Sequence, residues 1–251
     1  MAKNFMDLRY SRNRIYIDEA TQNQIKNFSV LIAGCGIGSV IAECALRLGF
    51  EKLTIVDGDQ IELSNLNRQN YTEKDLNVSK AKTLFERLKS INNNAQIEYI
   101  DKFINYENIS EIINHDVAIN ALDFKDETPL LFDEICSQKN IPVLHPYNLG
   151  WVGLVAVLDG SSKLSNIGNS NSVDEVTIVQ QIIEQEKLKG HPMIWLEDII
   201  SSYQHEEENL PPPQLAIGTW HVAAMCTRLL YKIATGDTVK TFPEYYLQGI
   251  V

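Results

Sequence analysis

Ser29-Val-Leu-Ile-Ala33-Gly34-Cys35-Gly36-Ile37-Gly38-Ser39 runs from an apolar stretch into a glycine turn, and that junction decides the fold. The first five residues have the length of a buried strand, and glycines at alternate positions let other groups approach the backbone closely. Beyond the turn, Ile41-Ala-Glu-Cys-Ala-Leu-Arg-Leu48 has helical spacing, and Gly49 stops it. A second apolar run, Leu53-Thr-Ile-Val56, follows and ends at Asp57. Strand, glycine turn, helix and strand in that order open a parallel sheet.

Working outward, the pattern predicts strands near 29–33, 52–56, 96–101, 116–121 and 141–145, with helices near 38–48, 79–91, 107–114 and 126–138. This is an α/β, Rossmann-like doubly wound arrangement with a mostly parallel sheet, whose ligands sit outside the carboxyl ends of the strands. After Pro142 the pattern changes. Gly153-Leu-Val-Ala-Val-Leu158 is a strand with no crossover helix after it, so an antiparallel C-terminal extension is expected. Residues 159–172, rich in Gly, Ser and Asn, have the composition of a mobile loop, placed to act as a lid or as a route for a partner's tail. Helices are expected at 174–189, 194–204 and 214–234, the last two separated by Glu206-Glu-Glu-Asn-Leu-Pro-Pro-Pro213, and Phe242-Pro-Glu-Tyr-Tyr-Leu247 is a closing strand. The chain thus reads as a single domain, 1–251, with an N-terminal arm (1–28), a nucleotide-binding half (29–146) and a second half (147–251).

Composition removes several classes of function. With 44% hydrophobic and 22% charged residues, the chain has the make-up of a soluble globular protein. The N-terminus lacks an apolar signal core and no run approaches the roughly 18 apolar residues of a membrane helix, so a cytoplasmic protein without a membrane partner is expected. A formal net charge of -11 argues against nucleic acid, whose binding relies on clustered Lys and Arg, and favours a neutral or basic protein partner. Cys35, Cys44, Cys136 and Cys226 form no Cys-x-x-Cys pair, so neither a zinc clip nor a disulfide framework is expected. His115, His145, His191, His205 and His221 lack ligand spacing and read as loop or surface residues.

The chemistry lies just past the second strand. Gly34, Gly36 and Gly38 can bring backbone N–H groups and a helix N-terminus to a phosphate. Asp57 stands about 20 residues on, where a carboxylate accepts bonds from ribose hydroxyls; a surface Asp in a turn with Gly58 is the plain alternative. Asn65, Arg68 and Lys80 follow in one block. Arg68 can fork two phosphate oxygens and Lys80 can place a point charge, as a site that cleaves a triphosphate requires. The bland alternative is a solvated loop with Lys80 on a helix surface. Asp123 follows the apolar run Val117-Ala-Ile-Asn120, again at a carboxyl end, where a helix N-cap is its alternative use.

Arg9-Tyr-Ser-Arg12, the glycine turn, Asp57-Gly-Asp59, Leu63-Ser-Asn-Leu-Asn-Arg-Gln69, Val78-Ser-Lys80-Ala81 and Asn120-Ala-Leu-Asp123 occur in this order, and with them the chain resembles the ThiF/MoeB-type adenylyltransferases, relatives of the ubiquitin-activating enzymes. The resemblance extends over essentially the whole chain. It implies ATP- and Mg²⁺-dependent adenylation of a carboxylate, usually the C-terminus of a small ubiquitin-like protein or peptide. It also implies that Gly34, Gly36, Gly38, Asp57, Asp59, Asn65, Arg68 and Lys80 bind the nucleotide. Asp123 would bind magnesium, and Arg12, Arg68, Lys80 and Asp123 would serve catalysis. Residues 147–251 would form the acceptor-binding and crossover half, and a homodimer would exchange Arg12 between subunits.

Where the family has Gly-x-Gly-Gly-x-Gly, this chain has Ala33-Gly34-Cys35-Gly36-Ile37-Gly38, and family members often carry Asp at the position of Asn120. Residues 159–213 contain no cysteine, so the acyl group is expected to pass to a nucleophile on another molecule. An NAD-dependent oxidoreductase would share Asp57 and the turn but leaves Arg68, Lys80 and Asp123 without a task. A non-catalytic subunit that lends Arg12 to an active partner would have little use for the same three residues. A dehydratase that adenylates a carboxylate on tRNA is disfavoured by the acidic balance.

Overall fold

The computed structural model describes residues 7–162, 164, 175–208 and 210–250. Seven strands form one mixed sheet: β1 (Ser29–Ala33), β2 (Lys52–Val56), β3 (Gln96–Ile100), β4 (Val117–Asn120), β5 (Val143–Leu149), β6 (Val152–Leu158) and β7 (Tyr245–Gly249), in the spatial order β3-β2-β1-β4-β5-β6-β7. The pairs β1–β2, β1–β4, β2–β3 and β4–β5 are parallel, whereas β5–β6 and β6–β7 are antiparallel. The expected doubly wound sheet with an antiparallel extension is present.

Every residue of β1 is buried, and alternate side chains enter opposite cores: Val30 and Ile32 one, Leu31 and Ala33 the other. A strand covered on both faces has to be apolar throughout, which is why its sequence shows no alternation. The first core is closed by α1 (Glu19–Asn27), α2 (Gly38–Leu48), α3 (Lys80–Ile91) and α8 (Ala216–Thr235). The second lies beneath α4 (Ile109–Ile112), α5 (Thr128–Gln138), α6 (Glu175–Leu188) and α7 (Ile194–Gln204). Chain order reverses between β1 and β4, and the crevice outside their carboxyl ends is where such sheets take ligands.

Several expectations are corrected locally. The N-terminal arm carries a 3-10 turn at Leu8–Asn13 and the helix α1, whose N-cap Asp18 accepts from the Thr21 N–H. The helix expected at 107–114 shrinks to α4, because Asn105 and Asn108 side chains take up neighbouring backbone amides. The closing strand starts at Tyr245, beyond Pro243, which has no N–H for a ladder. β5 continues to Leu149 along its antiparallel pairing with β6. His145, expected at the surface, is 1% exposed inside β5. His115 also turns inward, its Nε2 2.8 Å from Thr54 Oγ1. The loop expected at 159–172 lies largely outside the described residues.

Glu43 ties the site's supporting elements together. Projecting from α2, it takes Arg47 Nε at 2.8 Å, Arg87 Nε of α3 at 2.6 Å, and the side-chain amide of Asn70. Burial raises its carboxyl pKa, but the Arg87, Arg47 and Asn70 hydrogen bonds together outweigh burial and hold it below the ordinary value. A carboxyl depressed in the folded state contributes stability above its unfolded pKa and loses it as pH falls through the folded value. Glu43→Gln is therefore expected to cost roughly 1–3 kcal/mol at pH 7, with the gap to wild type closing as pH drops below about 4.5. Urea melts of both proteins over that range measure it.

Candidate functional site

The glycine turn is shaped by the strands it joins. Gly34 has φ +91°, and its N–H donates to Val56 O at 2.9 Å. A Cβ on Gly34 would lie 2.2 Å from Ala121 O, because β1 and β4 converge there. A Cβ on Gly38 would lie 2.8 Å from Ile32 Cγ2, so α2 can begin this close to β1 only without a side chain. Among the described residues no side chain caps the N-terminus of α2; Ser39 N and Val40 N turn back to Gly36 O and Ile37 O, both at 3.1 Å, and the Gly36, Ile37 and Gly38 amides make no hydrogen bond, which leaves them available to an anion. Ser39, where a dinucleotide fingerprint has its third glycine, braces the turn: its Oγ donates to Gly36 O at 2.7 Å and accepts from the Asn70 N–H at 3.0 Å.

Cys35, where the family pattern has glycine, packs into the core. Its N–H donates to Asp57 Oδ2 at 2.6 Å, and its carbonyl accepts from Tyr71 Oη at 2.8 Å. Burial, reinforced by Asp57, pushes its thiol far above the ordinary range, so Cys35 is a packing group.

Asp57 accepts from Cys35 N and, through Oδ1, from Asp59 N at 2.7 Å. Burial raises its pKa, and these two amides oppose the rise. The local turn and the crevice position therefore coexist. From Asp59 the chain pairs with the entry to α3: Lys80 N donates to Asp59 O, Ile61 N to Val78 O, and Asn77 N to Ile61 O, with Asn77 at φ +62°. Two sequence blocks some 20 residues apart thereby meet. Lys80 is 8% exposed, not on the helix surface, and its Nζ reaches Asp59 Oδ2 at 3.1 Å.

Asn65 is buried, and its Oδ1 accepts from Glu62 N at 3.0 Å in a reciprocal cap. Arg68 is half-buried. Its Nε donates to Gln214 Oε1 at 2.6 Å and its Nη1 to Ser64 O and Asn67 Oδ1, both at 2.8 Å. Among the described residues Nη2 makes no hydrogen bond. Burial lowers the Arg68 pKa, and Asp123 opposes this through its charge. Asp123 is exposed, with Oδ2 3.0 Å from Lys125 Nζ. It caps nothing, since α5 begins after Glu127.

Gly34, Gly36, Gly38, Asp57, Asp59, Asn65, Arg68, Lys80 and Asp123 thus lie along the carboxyl edge of the sheet. Arg12 does not. Asn13 Nδ2 donates to Leu48 O at the end of α2, and Asn92 Nδ2 donates to Tyr10 Oη at 3.3 Å, so the 3-10 turn bearing Arg12 sits at the opposite edge. Among the described residues no group of three or more His, Cys, Asp or Glu could hold a metal. One exposed carboxylate nevertheless fits magnesium, which is commonly held by one or two carboxylates and would take its remaining ligands from water and a bound ligand.

Three residues of the site were not singled out from sequence. A Cβ on Gly36 would lie 3.2 Å from Gln69 Nε2, while Gln69 Oε1 is buried without a partner among the described residues. Lys125 holds Asp123. Gln214 anchors Arg68 from 146 residues away, a contact that no local pattern announces.

The ThiF family model matches residues 10–248. This chain belongs to the ThiF family. Over 162 residues it is 33% identical to the sulfur carrier protein ThiS adenylyltransferase of Bacillus subtilis, a match covering 61% of this chain and 48% of that protein. Over 156 residues it is 30% identical to the molybdopterin-synthase adenylyltransferase of Haemophilus influenzae, covering 60% and 64%. The matched stretch spans less than two thirds of these relatives' length. The E. coli MccB structure with ATP superposes with a TM-score of 0.71 at 20% identity, over 97% of this chain and 72% of that one, and this likeness bears on the fold.

Proposed function

We propose that this ThiF-family chain adenylates a carboxylate with ATP and Mg²⁺, and that the acceptor is the C-terminus of a small ubiquitin-like protein or peptide. The observation that carries the reading is the meeting of Arg68, Lys80 and Asp123 with the glycine turn at the switch point between β1 and β4. The acceptor's carboxylate oxygen bonds to the α-phosphorus, the bond between the α-phosphorus and its bridging oxygen to the β-phosphate breaks, and pyrophosphate leaves. A carboxylate is already ionised at neutral pH, so the step needs cations and positioning but no general base.

Asp57 would hold the ribose, and the amides of Gly36, Ile37 and Gly38 at the entry to α2 would take phosphate oxygens, with Asp59 and Asn65 completing the cradle. Arg68 and Lys80 would offset the charge on the transferring and leaving groups. Asp123 would hold Mg²⁺, which supplies further neutralisation when bound. Leu8, Ile15 and Tyr16, respectively 83%, 96% and 89% exposed, flank Arg12 in the sequence on a segment away from its own crevice, which supports a homodimer in which Arg12 serves the partner's site. Cys35, Cys136 and Cys226 are buried with thiol pKa values raised by burial, that of Cys136 to about 12, and half-buried Cys44 packs against the core from α2, which supports a partner's nucleophile as the acyl acceptor.

Pyrophosphate exchange tests the reading. Exchange into ATP is expected only when an acceptor with a free C-terminal carboxylate is added, and its amidated counterpart should give none. Tight NADH binding without exchange overturns the proposal, and a tRNA mobility shift at low salt with tRNA-dependent exchange would move the acceptor to RNA.

A further inference from the structure

Behind the crevice lies a buried polar cluster that the nucleotide reading does not use. Asn120, the last residue of β4, is 4% exposed, and its Nδ2 donates to Asp133 Oδ1 at 2.9 Å and to Pro129 O at 2.9 Å, both on α5. His145, in the middle of β5, lies with Nε2 2.8 Å from the same Asp133 oxygen. Asp133 Oδ2 is buried and has no hydrogen-bond partner among the described residues. On its other side Asn120 Oδ1 accepts from Leu122 N at 3.4 Å. The chain of contacts therefore runs from β5 through α5 to the backbone one residue before Asp123.

Such a cluster is a poor device for stability. Taking an acid and an imidazole out of water is costly, and apolar residues of similar volume often serve a core as well or better. What it does that apolar packing cannot is fix direction, since Asp133 Oδ1 and Pro129 O both accept from Asn120 Nδ2 and so orient the Asn120 amide. Its carbonyl then faces the amide of Leu122. Groups that orient a ligand side chain from behind typically matter 10–100-fold to metal affinity.

We infer that His145, Asp133 and Asn120 are positioning residues, a network that sets the β4 exit at residues 121–123 and thereby aims the Asp123 carboxylate at the metal and phosphate position. This rests on the adenylation reading.

The test is calorimetric binding of α,β-methylene-ATP with and without Mg²⁺ to the whole chain, with melting curves as folding controls. Wild type is expected to gain affinity when Mg²⁺ is added. In Asp133→Asn and His145→Phe that gain should fall about 10-fold, while Mg²⁺-free affinity stays within about twofold. His145→Gln, which still offers an N–H to Asp133, should recover most of the gain. Joined to Asp123→Asn, either variant should add little further loss, because both act through one carboxylate. Asn120→Ser, at a strand end, supplies the same measurement if the core variants do not fold. Folded variants with a wild-type Mg²⁺ gain, or a loss that adds in full to that of Asp123→Asn, overturn the network. A wild-type chain with no Mg²⁺-dependent nucleotide binding overturns the adenylation reading, and this inference with it.

Discussion

Arg68→Ala is expected to lower acceptor-dependent pyrophosphate exchange by about 10²–10³-fold, the range for removing one preorganised charge donor from a transition state. Most of Arg68 is held by the protein, with Nε on Gln214 and Nη1 on Ser64 and Asn67. A guanidinium fixed along one edge loses little freedom when its remaining nitrogen meets a phosphate oxygen. Partial burial makes that charge more effective than it would be in open water. Arg68→Lys is expected to recover less than a tenth of the lost rate, because an ammonium cannot keep the Gln214 and Ser64 contacts while reaching the nucleotide. The melting temperature of Arg68→Ala should stay within a few degrees of wild type. An exchange rate within threefold of wild type would remove Arg68 from the machinery.

Gln214→Ala separates anchoring from charge. It leaves the guanidinium in place but frees Nε, and a drop of roughly tenfold, smaller than for Arg68→Ala, is expected in the same assay. An equal loss in both variants would mean that Arg68 acts by bracing the segment before α8.

Much of this architecture was legible because its strands are buried on both faces and so appear as apolar runs, as in Val30 to Ala33. The carboxyl-edge residues were legible because each follows such a run directly or by a short paired segment, as Lys80 does through Asp59. The helix α1 was not, since it buries only Gln22 and Ile25 and thus shows no apolar stripe. His145 was misplaced for a related reason. A histidine beside Pro146 in a short run reads as surface, and its partner lies twelve residues back on α5, where no periodicity couples the two. Position along the chain likewise gave no sign that Arg12 would lie at the edge opposite Asp57, because that depends on α2 passing from one edge of the sheet to the other.

Gly34→Ala should unsettle the fold and the site together. The new Cβ would meet Ala121 O at 2.2 Å and Ala121 C at 2.7 Å. Both are backbone atoms of the neighbouring strand's exit, and they are tied to β1 through Ala121 N donating to Ala33 O at 2.8 Å. No rotamer change relieves that contact, so β1 and β4 must separate at the switch point. A destabilisation of roughly 3 kcal/mol or more is expected, or about 6–12 °C in melting temperature for a chain of this size. Nucleotide affinity should fall more than tenfold. Gly190→Ala is the control: Gly190 has a similar φ of +86°, but a Cβ there would meet nothing within 4 Å among the described residues, so only backbone strain of about 1 kcal/mol remains. The difference between the two melting curves isolates the contact with Ala121. If both variants melt within 2 °C of each other, β4 yields at Ala121, and the convergence of the two strands is softer than the packing of this turn implies.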